Sequence, residues 1–219
     1  MSTRTDSAGH DPVIESRDQL IAAFAKGEKP KDRWRIGTEH EKFVYDRGDH
    51  HAPSYEEKGG IHALLLGLTR FGWEPVHEGG KIIALSGNDG TISLEPAGQL
   101  ELSGAPLDNL HLTCAETGRH LEQVKYVGDQ LGLGFLGLGM WPDKSRSDLP
   151  IMPKGRYAIM LRHMPRVGSL GLDMMLRTCT IQTNLDYGSE ADMAQKFRVS
   201  LALQPLATAL FANSPFTNG

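Results

Sequence analysis

Apolar residues along this chain recur first at helical spacing and then at every second position, and the changes of period mark its elements. Ser16-Arg17-Asp18-Gln19 has the pattern of a capping box. Leu20, Ile21 and Phe24 carry it on as a helix that Gly27 ends. After a Lys/Pro-rich link, Trp34 to Tyr45 reads as a strand. A second box, Ser54-Tyr55-Glu56-Glu57, predicts a helix whose Ile61, Leu64, Leu65 and Leu68 form one stripe. Lys81–Ser86 and Thr91–Glu95 read as strands joined by Gly87-Asn88-Asp89-Gly90, a hairpin signal.

Asp108 is placed as the cap of a long helix with Leu110, Cys114, Leu121, Val124 and Leu131 at helical spacing. Gly134 to Trp141 reads as a glycine-punctuated strand, and Pro142 to Gly171 as a basic, loop-rich stretch. From Arg177 to Asp186 the chain alternates. Thr178, Thr180, Gln182, Asn184 and Asp186 share one face; Cys179, Ile181 and Leu185 share the other. Ser189 then caps a helix to about Ala212, bent at Pro205. Hairpins and a short-looped meander with helices between some strands predict an α+β fold around a mainly antiparallel sheet.

Composition narrows the class. With 219 residues the chain can bury a sizeable core, so two cysteines are too few to be a disulfide framework. They fit a reducing compartment, and a cytoplasmic location is expected. The polar start lacks a signal-peptide pattern, so residues 1–13 are read as a disordered leader and residues 14–219 as one domain. The turn-rich run Asn213 to Gly219 reads as a connection to further chain. No stretch approaches the ~18 apolar residues of a membrane span, and no membrane partner is expected. A net charge of −4 argues against nucleic acid but leaves room for anionic small ligands beside a local basic cluster.

The chemistry lies in two acidic pairs. Glu39 and Glu41, one residue apart, leave the same strand face roughly 7 Å apart. After the second predicted hairpin strand, Glu95 and Glu101 sit on polar faces between apolar Ile92, Leu94, Leu100 and Leu102. Alone, either pair can be a solvated strand edge. Four carboxylates on neighbouring strands repel and lose hydration unless cations join them. An all-carboxylate set without Cys or His spacing favours Mg²⁺ or Mn²⁺ over zinc. Such a cradle suits phosphoryl chemistry, and Lys154, Arg156, Arg162 and Arg177 can supply complementary charge.

These residues carry a family resemblance. Ile36-Gly37-Thr38-Glu39-His40-Glu41-Lys42-Phe43, Ile92 to Pro96 with Gln99 to Pro106, Met152 to Tyr157, Asp173 to Asp186, and Leu203 to Phe216 resemble glutamate–cysteine ligases of the plant and proteobacterial type. The resemblance runs from about Ile14 to Gly219, in the N-terminal half of such an enzyme. Ala97 stands where the family often has glycine. It implies a curved sheet like that of the glutamine-synthetase superfamily, and ATP-dependent joining of the glutamate γ-carboxylate to the amine of cysteine, the first step of glutathione synthesis. By motif match, Glu39, Glu41, Glu95 and Glu101 would hold Mg²⁺ or Mn²⁺. Arg156 and Arg177 would act at the substrates, and Lys154, Gln182 and Asn184 at the nucleotide–metal group. Two alternatives stay open: a related carboxylate–amine ligase, or a non-catalytic module that binds metal and glutamate. A matching-helix cysteine in the plant-type family pairs with one in the second half, so Cys114 and Cys179 are expected to be free thiols here. Self-association through Leu201 to Phe211 is also expected.

Overall fold

Strand β1 (Ile36–Asp46) is the axis of the molecule, because its eleven residues are long enough to pair with three other strands. The structure, a computed structural model, describes residues 13–88 and 90–219. The other strands are β2 (Glu74–Glu78), β3 (Lys81–Gly87), β4 (Gly90–Leu94), β5 (Leu100–Gly104), β6 (Leu133–Leu136) and β7 (Ile181–Leu185). The helices are α1 (Arg17–Ala25), α2 (Ile61–Leu68), α3 (Leu110–Leu131), α4 (Gly155–Val167), α5 (Gly171–Arg177) and α6 (Glu190–Leu210). The sheet runs β2-β3-β4-β5-β1-β6, with β7 also on β1. Every pairing is antiparallel, so the α+β class and the sheet type match the expectation.

Pleating sorts the side chains. Ile92, Leu94, Leu100 and Leu102 are at most 1% exposed. Their face of the sheet meets α2, whose Ile61, Leu64, Leu65 and Leu68 are fully buried, and α3. Burying each such side chain stabilises by roughly 1.5–3 kcal/mol. Lys42 belongs to the same face: its ammonium donates to the carbonyls of His40 (2.9 Å) and Leu100 (3.3 Å) and to His120 Nε2 of α3 (2.9 Å). Burial, then Lys42, pushes His120 down to about 2, so its ring is neutral and accepts that bond. With His40 and Lys42 turned toward α3, period two sends Glu39 and Glu41 to the opposite face.

Several boundaries differ from the sequence reading. The Ser16 box forms as expected. The box at Ser54 does not start α2, which begins at Ile61 with Gly60 at its N-cap. Glu57 accepts from the Ser54 N–H (2.7 Å) and also contacts His51 Nε2 (2.9 Å), so the box closes a turn. Asn109, not Asp108, caps α3, because Asp108 is taken by Arg35 at 2.7 Å. The buried side of α3 is Glu116, His120, Val124 and Val127, while Leu110, Leu121 and Cys114 are exposed. The apolar stripe was thus misplaced, since polar residues there are claimed by the buried Lys42 and by the Ala105 N–H, which donates to Glu116 at 2.7 Å. A further strand, β2, precedes the predicted hairpin, and β6 ends at Leu136. Residues expected as loop and strand start form α4 and α5, where Tyr157, Met175 and Leu176 bury into the core. The leader lies outside the described residues except for exposed Val13, and Asp89 of the predicted hairpin lies outside them too. Both cysteines are free, Cys179 buried and Cys114 exposed.

Candidate metal centre

The four glutamates converge. Glu41 on β1 lies directly opposite Glu101 on β5, a relation that puts Cβ atoms about 5 Å apart. Glu39 lies opposite Ser103 on the same pair of strands, and Ser93 of β4 lies opposite Glu101 on its other side. Glu95 follows β4 directly and returns through a tight turn: its N–H donates to the Gln99 carbonyl (2.8 Å), and the Gly98 N–H donates to the Glu95 carbonyl (2.9 Å). Gly98 has φ +88°, a conformation that suits glycine, and a Cβ there would sit 3.3 Å from both Ile61 and Met152. Gln99 serves this turn. Its amide accepts from the Ala97 N–H and donates to the carbonyls of Leu176 and Thr178.

The acids are also deep. Glu41 and Glu95 are each 8% exposed and Glu101 is 0%. Glu101 Oε1 accepts from the Ser103 hydroxyl, while Oε2 has no hydrogen-bond partner. Burial first, then the charge of Glu101, pushes the Glu95 carboxyl up to about 7. Glu41 is also raised, mainly by burial, with bonds from Thr180 acting against it and Glu101 and Glu39 adding to it. This is the electrostatic signature of carboxylates held together with too little positive charge. A hard divalent cation fits such a donor set, and the orphaned Glu101 oxygen is the place where it is most needed.

Positive charge arrives from the start of α4. Arg156 Nη2 lies 3.4 Å from Glu95 Oε1, and its guanidinium stacks 5.1 Å from the Tyr157 ring centre. Tyr157, itself buried, fixes the helix by donating its hydroxyl to the Leu94 carbonyl. Lys154 precedes α4 and is only 6% exposed; burial, then Arg156, lowers it to about 8, while Glu95, Glu101 and Glu78 oppose that shift. Glu78 at the end of β2 accepts from the Gly155 N–H at 2.6 Å and so ties the helix start to the sheet. Arg156 therefore owes its placement to a helix N-terminus, where the sequence pattern predicts a basic, loop-rich stretch.

β7 supplies the opposite wall. Asn184 Nδ2 donates to Glu39 Oε1 (3.0 Å) and Gln182 Nε2 reaches Glu41 Oε1 (3.5 Å). Arg177 does not join them. Its guanidinium is held by Asp173 (3.1 Å) and Asn218 (2.6 Å), because the chain there ends a helix instead of starting a strand. Sequence reasoning passed over Thr180, which bonds both oxygens of Glu41. The usable signal was its place on the same period-two face as Gln182 and Asn184. Asp46 at the end of β1, with Asp49 and His51 in the turn after it, forms the one group among the described residues whose possible ligand atoms all lie within 4.8 Å of one another; His51 bonds Asp49 and Glu57, and Asp46 accepts from the Gly48 N–H.

Comparison with known proteins identifies the family. The family described as glutamate-cysteine ligase family 2 (GCS2) matches residues 35–219. Among curated relatives, the chloroplastic glutamate–cysteine ligase of Medicago truncatula is 59% identical over 205 residues, 93% of this chain and 40% of the relative. The Arabidopsis thaliana enzyme is 60% identical over 93% of this chain and 39% of its own length. Ligase A of Oryza sativa subsp. japonica is 56% identical, with 93% and 41% covered. The chain thus spans about two fifths of the length of these relatives. Their names also correct the cytoplasmic expectation: these relatives are chloroplastic, and two cysteines with an unremarkable polar start do not identify a compartment.

Proposed function

The chain belongs to glutamate-cysteine ligase family 2, and from that premise we propose that it carries the metal cradle for ATP-dependent joining of the γ-carboxylate of L-glutamate to the amine of L-cysteine. The observation that carries this reading is the buried, under-neutralised set Glu41, Glu95 and Glu101 with Glu39 at its open end. Glu39, Glu41, Glu95 and Glu101 hold Mg²⁺ or Mn²⁺. When bound, the cation neutralises nucleotide phosphate oxygens and the charge that develops on transfer.

The protein's own groups have separate tasks. Arg156, stacked on Tyr157 and reaching Glu95, directs a rigid cation at the place where phosphate or substrate carboxylate charge gathers. Lys154 adds a second, buried positive charge beside the same acids. Asn184 and Gln182 act on the metal ligands, orienting Glu39 and Glu41, instead of contacting the nucleotide. Arg177 anchors the end of α5 to Asp173 and Asn218 and serves the site through the fold.

Positioning both substrates in near-attack geometry is worth roughly 7–11 kcal/mol of a barrier, and a chain spanning two fifths of its relatives supplies only part of it. Alone, it is slow, and its exposed α6 and the second edge of β7 associate with another copy. The test is ADP release that depends on both glutamate and cysteine, measured on this chain and on the chain extended through its downstream reading frame. The extended form should turn over, and Glu101→Gln in it should lower kcat by about 10²–10³-fold, the size seen when one preorganised charge-stabilising group is lost. Turnover independent of cysteine, or unaffected by Glu101→Gln, would overturn the reading.

A further inference from the structure

Thr180 stands where β7 stops following β1. The ladder pairs His40 with Ile181, and one step on the Glu41 N–H still donates to the Thr180 carbonyl at 3.1 Å. The Thr180 N–H does not return that bond. It donates to Glu41 Oε2 at 2.8 Å, and the Thr180 hydroxyl donates to Glu41 Oε1 at 3.1 Å. Gln182 Nε2 donates to the same hydroxyl at 3.0 Å, which leaves its proton directed at Glu41. Among the four glutamates, Glu41 alone receives a backbone and a side-chain donor from one residue; Glu39 is met by Asn184, Glu95 by Arg156 and Glu101 by Ser103.

Resting on the reading of Glu41 as a metal ligand, we infer that Thr180 is the positioning residue that sets the plane of the Glu41 carboxylate for a divalent cation. A glutamate side chain has three rotatable torsions, and an unrestrained carboxylate must be ordered when the cation arrives. One donor on each oxygen removes that freedom beforehand. Oε2, which accepts only the Thr180 N–H, keeps a further lone pair, so the restraint leaves that oxygen able to ligate. Partners of this kind behind a ligand typically change metal affinity 10–100-fold when removed. Thr180 itself is solvent-exposed at a strand end, where its side chain contributes little to the core.

The test is Mn²⁺ titration of the 219-residue chain, followed by the electron paramagnetic resonance signal of the free ion. Thr180→Val keeps the shape and the backbone N–H and removes only the hydroxyl; its Mn²⁺ affinity should fall about tenfold, the lower end of the range for an outer partner. Thr180→Ser should restore affinity to within about twofold of the original chain. In a Glu41→Gln background, Thr180→Val should cause no further loss, because the group it orients is gone. Should Thr180→Val fail to fold, Thr180→Ala removes the same hydroxyl and carries the same test, with a loss that again vanishes beside Glu41→Gln. Unchanged Mn²⁺ affinity in Thr180→Val, or a loss that persists beside Glu41→Gln, overturns this inference while the metal cradle stands. An original chain that binds no Mn²⁺ overturns both.

Discussion

Helices α2 and α6 are both rich in leucine, yet one is sealed and the other bare. In α2, Ile61, Leu64, Leu65 and Leu68 fall at i, i+3, i+4 and i+7 and are all 0% exposed. In α6, Phe197, Val199, Leu201, Leu203 and Leu206 are between 49% and 62% exposed, and no residue is buried. The difference is one of angular placement. Apolar residues at every second position of a helix are scattered around its circumference, and a helix that is apolar all round is stable in the interior of a larger body. A groove of about 230 Å³ between β7 and α6, with Asn184, Tyr187, Lys196 and Phe197 on its walls, replaces a packed contact. No helix among the described residues is long and apolar enough to cross a membrane. The α2 side of the sheet thus carries the stability of the fold, and α6 among the described residues is exposed apolar surface.

The strongest way to break this contrast is to cut a cavity on the sealed side. Leu64→Ala should destabilise by about 2–5 kcal/mol in a denaturant titration. A smaller loss, about 1–2 kcal/mol, is expected for Gly98→Ala, which forces a side chain into a left-handed position in the turn between Glu95 and Glu101. On the bare side, Leu206→Ala should move the unfolding free energy by less than about 0.5 kcal/mol. Leu203→Glu with Leu210→Glu should instead shift sedimentation toward monomer. A cost for Leu206→Ala as large as that for Leu64→Ala would erase the distinction between the helices.

The smallest effect concerns pH at the end of β1. His51 is raised by its hydrogen bond to Asp49 first and to Glu57 second, with burial opposing. A raised folded-state pKa gives stabilisation that is complete below the ordinary histidine value of about 6.5 and disappears as pH rises through the raised value. Asp49 and Glu57 are both lowered, so their share is lost only in acid, below the ordinary carboxylate range. The stability difference between the chain and His51→Gln should therefore shrink on going from slightly acid to alkaline solution. A difference constant across neutral pH would show that the imidazolium is not what holds Asp49 and Glu57.

Legibility followed the same divide. The metal face was readable because strand parity is a local property: Glu39 and Glu41 share a face whatever surrounds them, and the polar face of Gln182 and Asn184 obeys the same rule. The N-terminus of α4 was less readable. Its glycine, arginine and two flanking prolines look like a loop, and only the burial of Tyr157 and the Glu78 cap hold the turn as helix. The α3 stripe was misread for a related reason, since a lysine from another strand makes His120 a core residue.

The sequence by itself determined the element order in outline, the pairing of acids on common faces and, through its motifs, the family. Those features depend on spacing along one chain. Tertiary structure alone decided that Glu41 faces Glu101, that Arg156 reaches Glu95, that Arg177 turns away to Asp173, and that Thr180 gives both its donors to Glu41. Each of these joins residues far apart in the chain or redirects a bond away from a regular ladder. Their outcome is set by the competition for a few buried partners, which no local period records.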